Sequence, residues 1–190
     1  MSFENDIERV LFSEVEIESA IDRIAGEVTR IYQGRDFTVV SVLKGSCIFT
    51  ADLIRRIPIP LELAFVGVSS YGSGTSSGTL ELQWLPPKAE IEGRNLLVVD
   101  DILDTGKTLD RIRRELGRLG AREVRTCVFL DKPSRRLVPI EPDLRGFLVD
   151  DLFVVGYGLD FGGRYRNLPY VGALRAEILG GVRPARSPGS

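Results

Sequence analysis

Hydrophobic positions along this chain switch between two periods, and the switches divide it into elements. Ser13 with Glu16 three residues on forms a capping box, and Ile17, Ile21, Ile24, Val28 and Ile31 then recur on one helical face as far as Gly34. That spacing predicts an amphipathic helix laid on a core and closed by a glycine just past its end. Phe37 to Leu43 is a nearly continuous apolar, β-branched run, as expected of a strand buried on both faces. Lys44-Gly45-Ser46 interrupts it, and Phe49, Leu53 and Ile54 mark a helix that ends ahead of Pro58. Leu61 to Val68 predicts another strand. It runs into a stretch rich in Gly, Ser and Thr, Ser69 to Gly78, and the chain returns as a strand through Leu80, Leu82 and Trp84.

Pro86 to Arg94 reads as a polar connection. Leu96 to Val99 is the next strand, and it ends in two adjacent carboxylates, Asp100 and Asp101. Asp104-Thr105-Gly106-Lys107-Thr108 then leads into a helix with the stripe Leu109, Ile112, Leu116 and Leu119 and a stop at Gly120. Val124 to Leu130 is a further buried strand. Asp131-Lys132-Pro133 follows, and proline leaves Lys132 at the carboxyl edge of the sheet, where ligands of open α/β sheets collect. After Phe153 to Phe161 and Arg164 to Leu168, Tyr170 to Leu174 is expected as a last strand closing the sheet. Strands alternating with helices predict an α/β fold: a mainly parallel central sheet flanked by helices, a two-stranded excursion and a small late hood. Residues 1–179 are expected to form one domain. The Gly, Pro, Arg and Ser content of Gly180 to Ser190 predicts a disordered tail.

Composition narrows the chemistry. The chain contains no histidine, which excludes Ser-His and Cys-His catalysis and histidine metal sites. Any general base must be a carboxylate, Lys, Tyr or Cys. Cys47 and Cys127 lie in apolar contexts without CxxC spacing and are expected as buried thiols. A net charge of −2 gives no broad footprint for nucleic acid. The one basic stripe, Arg111, Arg114, Arg118 and Arg122, reads as a solvated face or a subunit contact. No apolar stretch is long enough to span a bilayer, and the early acidic residues Glu4, Asp6 and Glu8 do not read as a signal peptide, so a cytoplasmic protein is expected.

The stretch from Val98 to Leu109 concentrates the chemistry. A strand, a tight loop and a helix N-terminus form a seat for a phosphate through main-chain N–H groups and the helix dipole. Gly106 lets the backbone approach, Thr105 and Thr108 add hydroxyls, and Lys107 adds a point charge. Asp100 and Asp101 would repel a bare phosphate but accept hydrogen bonds from sugar hydroxyls, so the loop suits a ribose 5-phosphate.

This segment resembles the phosphoribosyl pyrophosphate (PRPP) loop of type I phosphoribosyltransferases. Three further motifs are similar to the hypoxanthine-guanine branch, in the branch's order. Leu43-Lys44-Gly45 resembles its pyrophosphate loop, where a non-proline cis peptide precedes the lysine. Ser70-Tyr71 with the glycine-rich stretch resembles its flexible lid. Lys132-Pro133 with Phe153-Val154-Val155-Gly156-Tyr157 and Arg166-Asn167-Leu168 resembles its purine-binding end. The resemblance implies that Phe153 stacks on a purine, Val154 offers backbone groups to its edge, and Lys132 hydrogen-bonds the 6-oxo group. Asp160 would lie at the purine site near Mg²⁺, with Asp100 and Asp101 as further metal and ribose contacts. Lys44, Gly45 and Arg166 would hold pyrophosphate. Asp104 would be the general base, aided by the substrate's phosphates, while Ser70 and Tyr71 shield the reacting sugar from water.

The implied activity is Mg²⁺-dependent transfer of phosphoribose from PRPP to a 6-oxopurine, hypoxanthine or guanine, by a homodimer or homotetramer. Two departures stand out: Asp100 replaces a usual Glu, and Ser46 a usual Gly. Two alternatives remain open, a xanthine-preferring transferase and a PRPP-binding regulator that binds RNA or DNA through the arginine stripe.

Overall fold

The computed structural model describes residues 5–71 and 79–180. The tip of the expected lid, residues 72–78, and the tail from 181 lie outside the described residues. The chain runs β1 (Ile7–Phe12), α1 (Glu14–Tyr32), β2 (Phe37–Leu43), α2 (Cys47–Ile54), β3 (Glu62–Tyr71), β4 (Thr79–Trp84), α3 (Lys88–Ile91) and β5 (Asn95–Leu103). It continues through α4 (Lys107–Arg118), β6 (Glu123–Asp131), β7 (Leu144–Leu148), β8 (Val154–Val155), β9 (Val171–Leu174) and α5 (Ala176–Gly180).

The capping box forms as its residues predict. The Ser13 hydroxyl accepts from the Glu16 N–H, and the Glu16 carboxylate accepts from the Ser13 N–H at 2.8 Å. Ile17, Ile21, Ile24 and Val28 are then buried along one face of α1, each contributing about 1.5–3 kcal/mol by area removed from water.

The central sheet has the order β4-β3-β2-β5-β6-β7. All its pairs are parallel except β3 with β4. β2 and β5 are buried along almost their whole length because helices cover both faces. One core packs α1 and α2 on the sheet and the other packs α3 and α4. At the centre of the first, the Phe129 ring meets Tyr157 at 4.9 Å, Phe49 at 5.3 Å and Phe147 at 5.7 Å between centroids.

Several expectations need correction. β9 does not close the central sheet: it is the middle strand of a separate antiparallel sheet, β1-β9-β8, which forms the hood. β1 and β7 have no counterpart in the sequence reading. The Pro86 to Arg94 connection contains the single turn α3, which buries Ile91. Gly180 belongs to α5 and not to the tail. Cys127 is buried as expected, but Cys47 is exposed on the outer side of the first turn of α2; both are free thiols.

Removing the ring at the centre of the first core tests this packing. Phe129→Ala should lower the unfolding free energy by about 3–5 kcal/mol in urea titration, and a loss below about 1 kcal/mol would contradict it.

Candidate active site

β5 carries the acidic pair farther into the fold than expected, because the strand continues through Asp100 and Asp101 to Leu103. Asp100 is buried and Asp101 half-buried. The Asp101 N–H donates to Asp100 Oδ1 at 3.0 Å, and the Ile102 N–H to Asp101 Oδ1 at 2.8 Å. Burial, and then the neighbouring Asp101 charge, hold the Asp100 carboxyl well above the usual carboxylate range. Burial raises Asp101 as well, while hydrogen bonds and the Arg166 guanidinium oppose the rise. The pair is therefore only partly compensated and suits a ligand that brings hydroxyl donors or a cation.

The loop then turns into α4 at Gly106, whose φ of +85° belongs to the left-handed region. Space also demands glycine here, since a Cβ would come within 2.7 Å of Ile140 Cγ2. The first helical bond runs from the Asp110 N–H to the Gly106 carbonyl at 3.0 Å. N–H groups earlier in the turn have no partner within the helix and form an anion seat. Lys107 is exposed, Thr108 is half-buried, and Thr105 Oγ1 stands only at the limit of hydrogen bonding, 3.5 Å from the Lys107 N–H.

A second loop closes on the acidic pair. The Leu43–Lys44 peptide is cis, as the resemblance implied. Gly45 packs so tightly that a Cβ would lie 1.6 Å from Asp101 Oδ2. Lys44 is exposed. Ser46, which departs from the branch's glycine, joins a buried hydroxyl chain. It donates to the Val42 carbonyl at 2.7 Å and meets Ser41 Oγ at 2.8 Å, which in turn meets Thr50 Oγ1 at 2.9 Å.

The hood supplies the other wall. Arg166 pairs with Asp160 at 2.6 Å and donates to the Gly158 carbonyl. Phe153 is 36% exposed and meets the edge of Phe161 at 5.3 Å, whereas Val154 is buried in β8. Lys132 is buried, and its ammonium donates to the Leu152 carbonyl. Burial lowers its pKa, against the pull of Asp104 and Asp151. Arg135, which the sequence reading passed over, bridges these two carboxylates at 3.0 Å and 3.2 Å. Asp104 Oδ1 is nevertheless left without an aligned hydrogen bond.

The structure thus gathers Gly45, Asp100, Asp101, Asp160 and Arg166 at one side and Asp104, Lys132 and Arg135 at the other. Ser70 and Tyr71 end β3, in register with Leu80 and Thr79. Among the described residues, Asp160, Asp100 and Asp101 do not converge as one metal-holding group; Asp160 is engaged by Arg166 instead. The arginine stripe is not uniformly basic, because Arg114 pairs with Asp110 and Arg118 with Glu115 on the same helix.

Residues 11–162 match the phosphoribosyl transferase domain. The chain is 47% identical over 178 residues to the bifunctional protein TilS/HprT of Listeria monocytogenes, covering 93% of this chain but only 27% of that protein. It is 43% identical to the hypoxanthine-guanine phosphoribosyltransferase of Streptococcus pneumoniae, covering 92% of this chain and 97% of the relative. A crystal structure of a hypoxanthine phosphoribosyltransferase from Staphylococcus aureus superposes with a TM-score of 0.86 at 40% identity, covering 93% of this chain and 96% of that one. Sequence and architecture agree, and the chain belongs to the phosphoribosyltransferase family, among its hypoxanthine-guanine members.

Proposed function

We propose that this chain is a purine-salvage enzyme that transfers the 5-phosphoribosyl group of PRPP to hypoxanthine or guanine, giving IMP or GMP and pyrophosphate. One observation carries the reading. The acidic pair and phosphate loop of β5 open onto the same sheet edge as a buried lysine donor, Lys132, and a half-exposed aromatic face, Phe153. A phosphate seat, acceptors for ribose hydroxyls, a donor for a 6-oxo group and a stacking surface together describe the two substrates.

In this mechanism the 5′-phosphate rests on the main-chain N–H groups, Thr105, Thr108 and Lys107 at the start of α4. Asp100 and Asp101 orient the ribose. Phe153 stacks on the base, Val154 contributes backbone groups to its edge, and Lys132 leaves the Leu152 carbonyl for the 6-oxo oxygen. The bond from N9 to C1′ forms as the bond from C1′ to pyrophosphate oxygen breaks, the electron pair leaving with pyrophosphate. Asp104 takes the proton from N7. Lys44, Gly45 and Arg166 hold the departing pyrophosphate, and Ser70 and Tyr71 of the lid exclude water.

The partly compensated pair Asp100–Asp101 fits Mg²⁺ bound chiefly by substrate phosphates with one or two carboxylates. When bound, Mg²⁺ neutralises charge on pyrophosphate as it leaves.

The enzyme acts as a cytoplasmic homodimer or homotetramer. Leu63 and Phe65 are exposed on one face of β3, where the Trp84 indole lies over Gly67, and this apolar strip supports self-association. The regulator reading has less support, since the α4 arginines are partly neutralised and a regulator needs no purine-selective lysine.

Absorbance assays with PRPP, Mg²⁺ and separate bases should show nucleotide formation from hypoxanthine or guanine and none from adenine. Asp104→Asn should cut kcat by about a hundredfold or more while leaving PRPP binding within about threefold. Silence of the unmodified chain with every 6-oxopurine, xanthine included, would refute transferase activity; full turnover by the variant would remove Asp104 from the reaction.

The raised acid pair gives a stability prediction. A carboxyl whose folded pKa is raised lends stability below its unfolded value of about 3.9, and that stability is lost as pH rises through the folded value. Ligand-free Asp100→Asn should therefore melt progressively higher than the parent as pH climbs from about 4 to 8. A melting difference that stays flat or shrinks over that range would contradict the assignment.

A further inference from the structure

The main-chain carbonyls of the phosphate loop are drawn back onto the segment that follows β6. The Lys132 N–H donates to the Leu103 carbonyl at 3.0 Å. One guanidinium nitrogen of Arg136, Nη1, donates to the Leu103 carbonyl at 3.0 Å and to the Asp104 carbonyl at 2.9 Å. The Leu137 and Val138 N–H groups donate to the Thr105 carbonyl at 2.9 Å and 3.2 Å. In a trans peptide the carbonyl and the next N–H point in opposite directions. Tying back the carbonyls of residues 103, 104 and 105 therefore turns the N–H groups of 104, 105 and 106 the other way.

Arg136 is fixed in this role by charge. Its side chain is 10% exposed, and its Nη2 pairs with Asp131, whose carboxylate is fully buried. Arg145 of β7 closes on the other oxygen of Asp131 at 2.9 Å. A buried carboxylate held by two guanidiniums keeps its geometry, because losing one partner leaves a charge unpaired. Only a planar fork can serve the carboxylate with one nitrogen and two carbonyls with the other; a lysine ammonium is a point charge. The aliphatic stem also contributes, since Arg136 Cδ lies 3.1 Å from where a Gly106 Cβ would be.

We propose that Arg136, locked by Asp131 and Arg145, is a positioning residue that aims the phosphate-loop N–H groups and thereby sets affinity for a sugar phosphate monoester. The inference rests on the reading that this loop seats a 5′-phosphate. It assigns β7 a task at the site: Arg145 fixes the anchor from a strand that carries none of the substrate-contact residues.

The test uses calorimetric binding of ribose 5-phosphate, together with KM for PRPP and for hypoxanthine. It compares the unmodified chain, Arg136→Gln, Arg136→Lys and Val28→Ala. Val28 is buried in α1 and serves as a destabilised control away from the loop. Both Arg136 variants should bind ribose 5-phosphate about tenfold more weakly and raise KM for PRPP in step, with KM for hypoxanthine changed less than about twofold. Val28→Ala should lower the melting temperature without moving ribose 5-phosphate affinity. Unchanged affinity in Arg136→Lys would overturn the proposal, as would loss in Val28→Ala proportional to its melting temperature. Should Arg136→Gln fail to fold, Arg136→Lys decides by the same criteria. No binding of ribose 5-phosphate by the unmodified chain would instead refute the phosphate seat, and the inference with it.

Discussion

Two adjacent carboxylates at the end of a strand buried on both faces are the most demanding feature of this molecule. Asp100 and Asp101 sit where desolvation and mutual repulsion both disfavour charge. Main-chain donors and the nearby Arg166 compensate only in part. A sugar brings hydroxyl donors to such a pair, and a metal-bound phosphate brings charge.

The surrounding fold holds that arrangement from several sides. β2, β5 and β6 run parallel, so their carboxyl ends deliver the Lys44 loop, the acidic pair and Lys132 to one edge. The hood is a separate sheet, and polar contacts fasten it across that edge. Tyr157 donates to Asp52 of α2 at 2.6 Å, and Lys132 reaches the Leu152 carbonyl. Under the proposed function the lysine would exchange that carbonyl for a purine oxygen, so base binding would compete with this contact.

Much of this was legible in the sequence because the signals are local. The Ser13–Glu16 box, the continuous run from Phe37 to Leu43 and the turn at Gly106 each fix their own geometry within a few residues. What escaped depends on distant partners. β1 has Glu8 and Arg9 within six residues, and only pairing with β9, at the far end of the chain, makes it a strand. The run from Tyr170 to Leu174 announces a strand but not which sheet it joins. Cys47 has apolar neighbours in sequence, yet helical geometry points them inward and leaves the thiol outside. Asp131 carried a faint signal, a carboxylate at the end of an apolar strand, but Arg136 and Arg145 reach it only through tertiary folding. Lys44, Asp100, Asp101 and Lys132 share one edge because their strands run parallel, whereas the contacts of Asp131 with Arg136 and Arg145 answer to no motif.

The central claim is that burial and mutual repulsion make the Asp100 carboxyl hold its proton more tightly in the free protein than when a ligand compensates its charge. Calorimetry of PRPP binding with Mg²⁺ at about pH 6, repeated in buffers of different ionisation enthalpy, counts the protons released. The account predicts that the unmodified chain releases more protons than Asp100→Asn under identical conditions, because binding ionises the carboxyl that the variant lacks. Equal proton release from the two would show that Asp100 keeps the same protonation state on binding and would contradict the account.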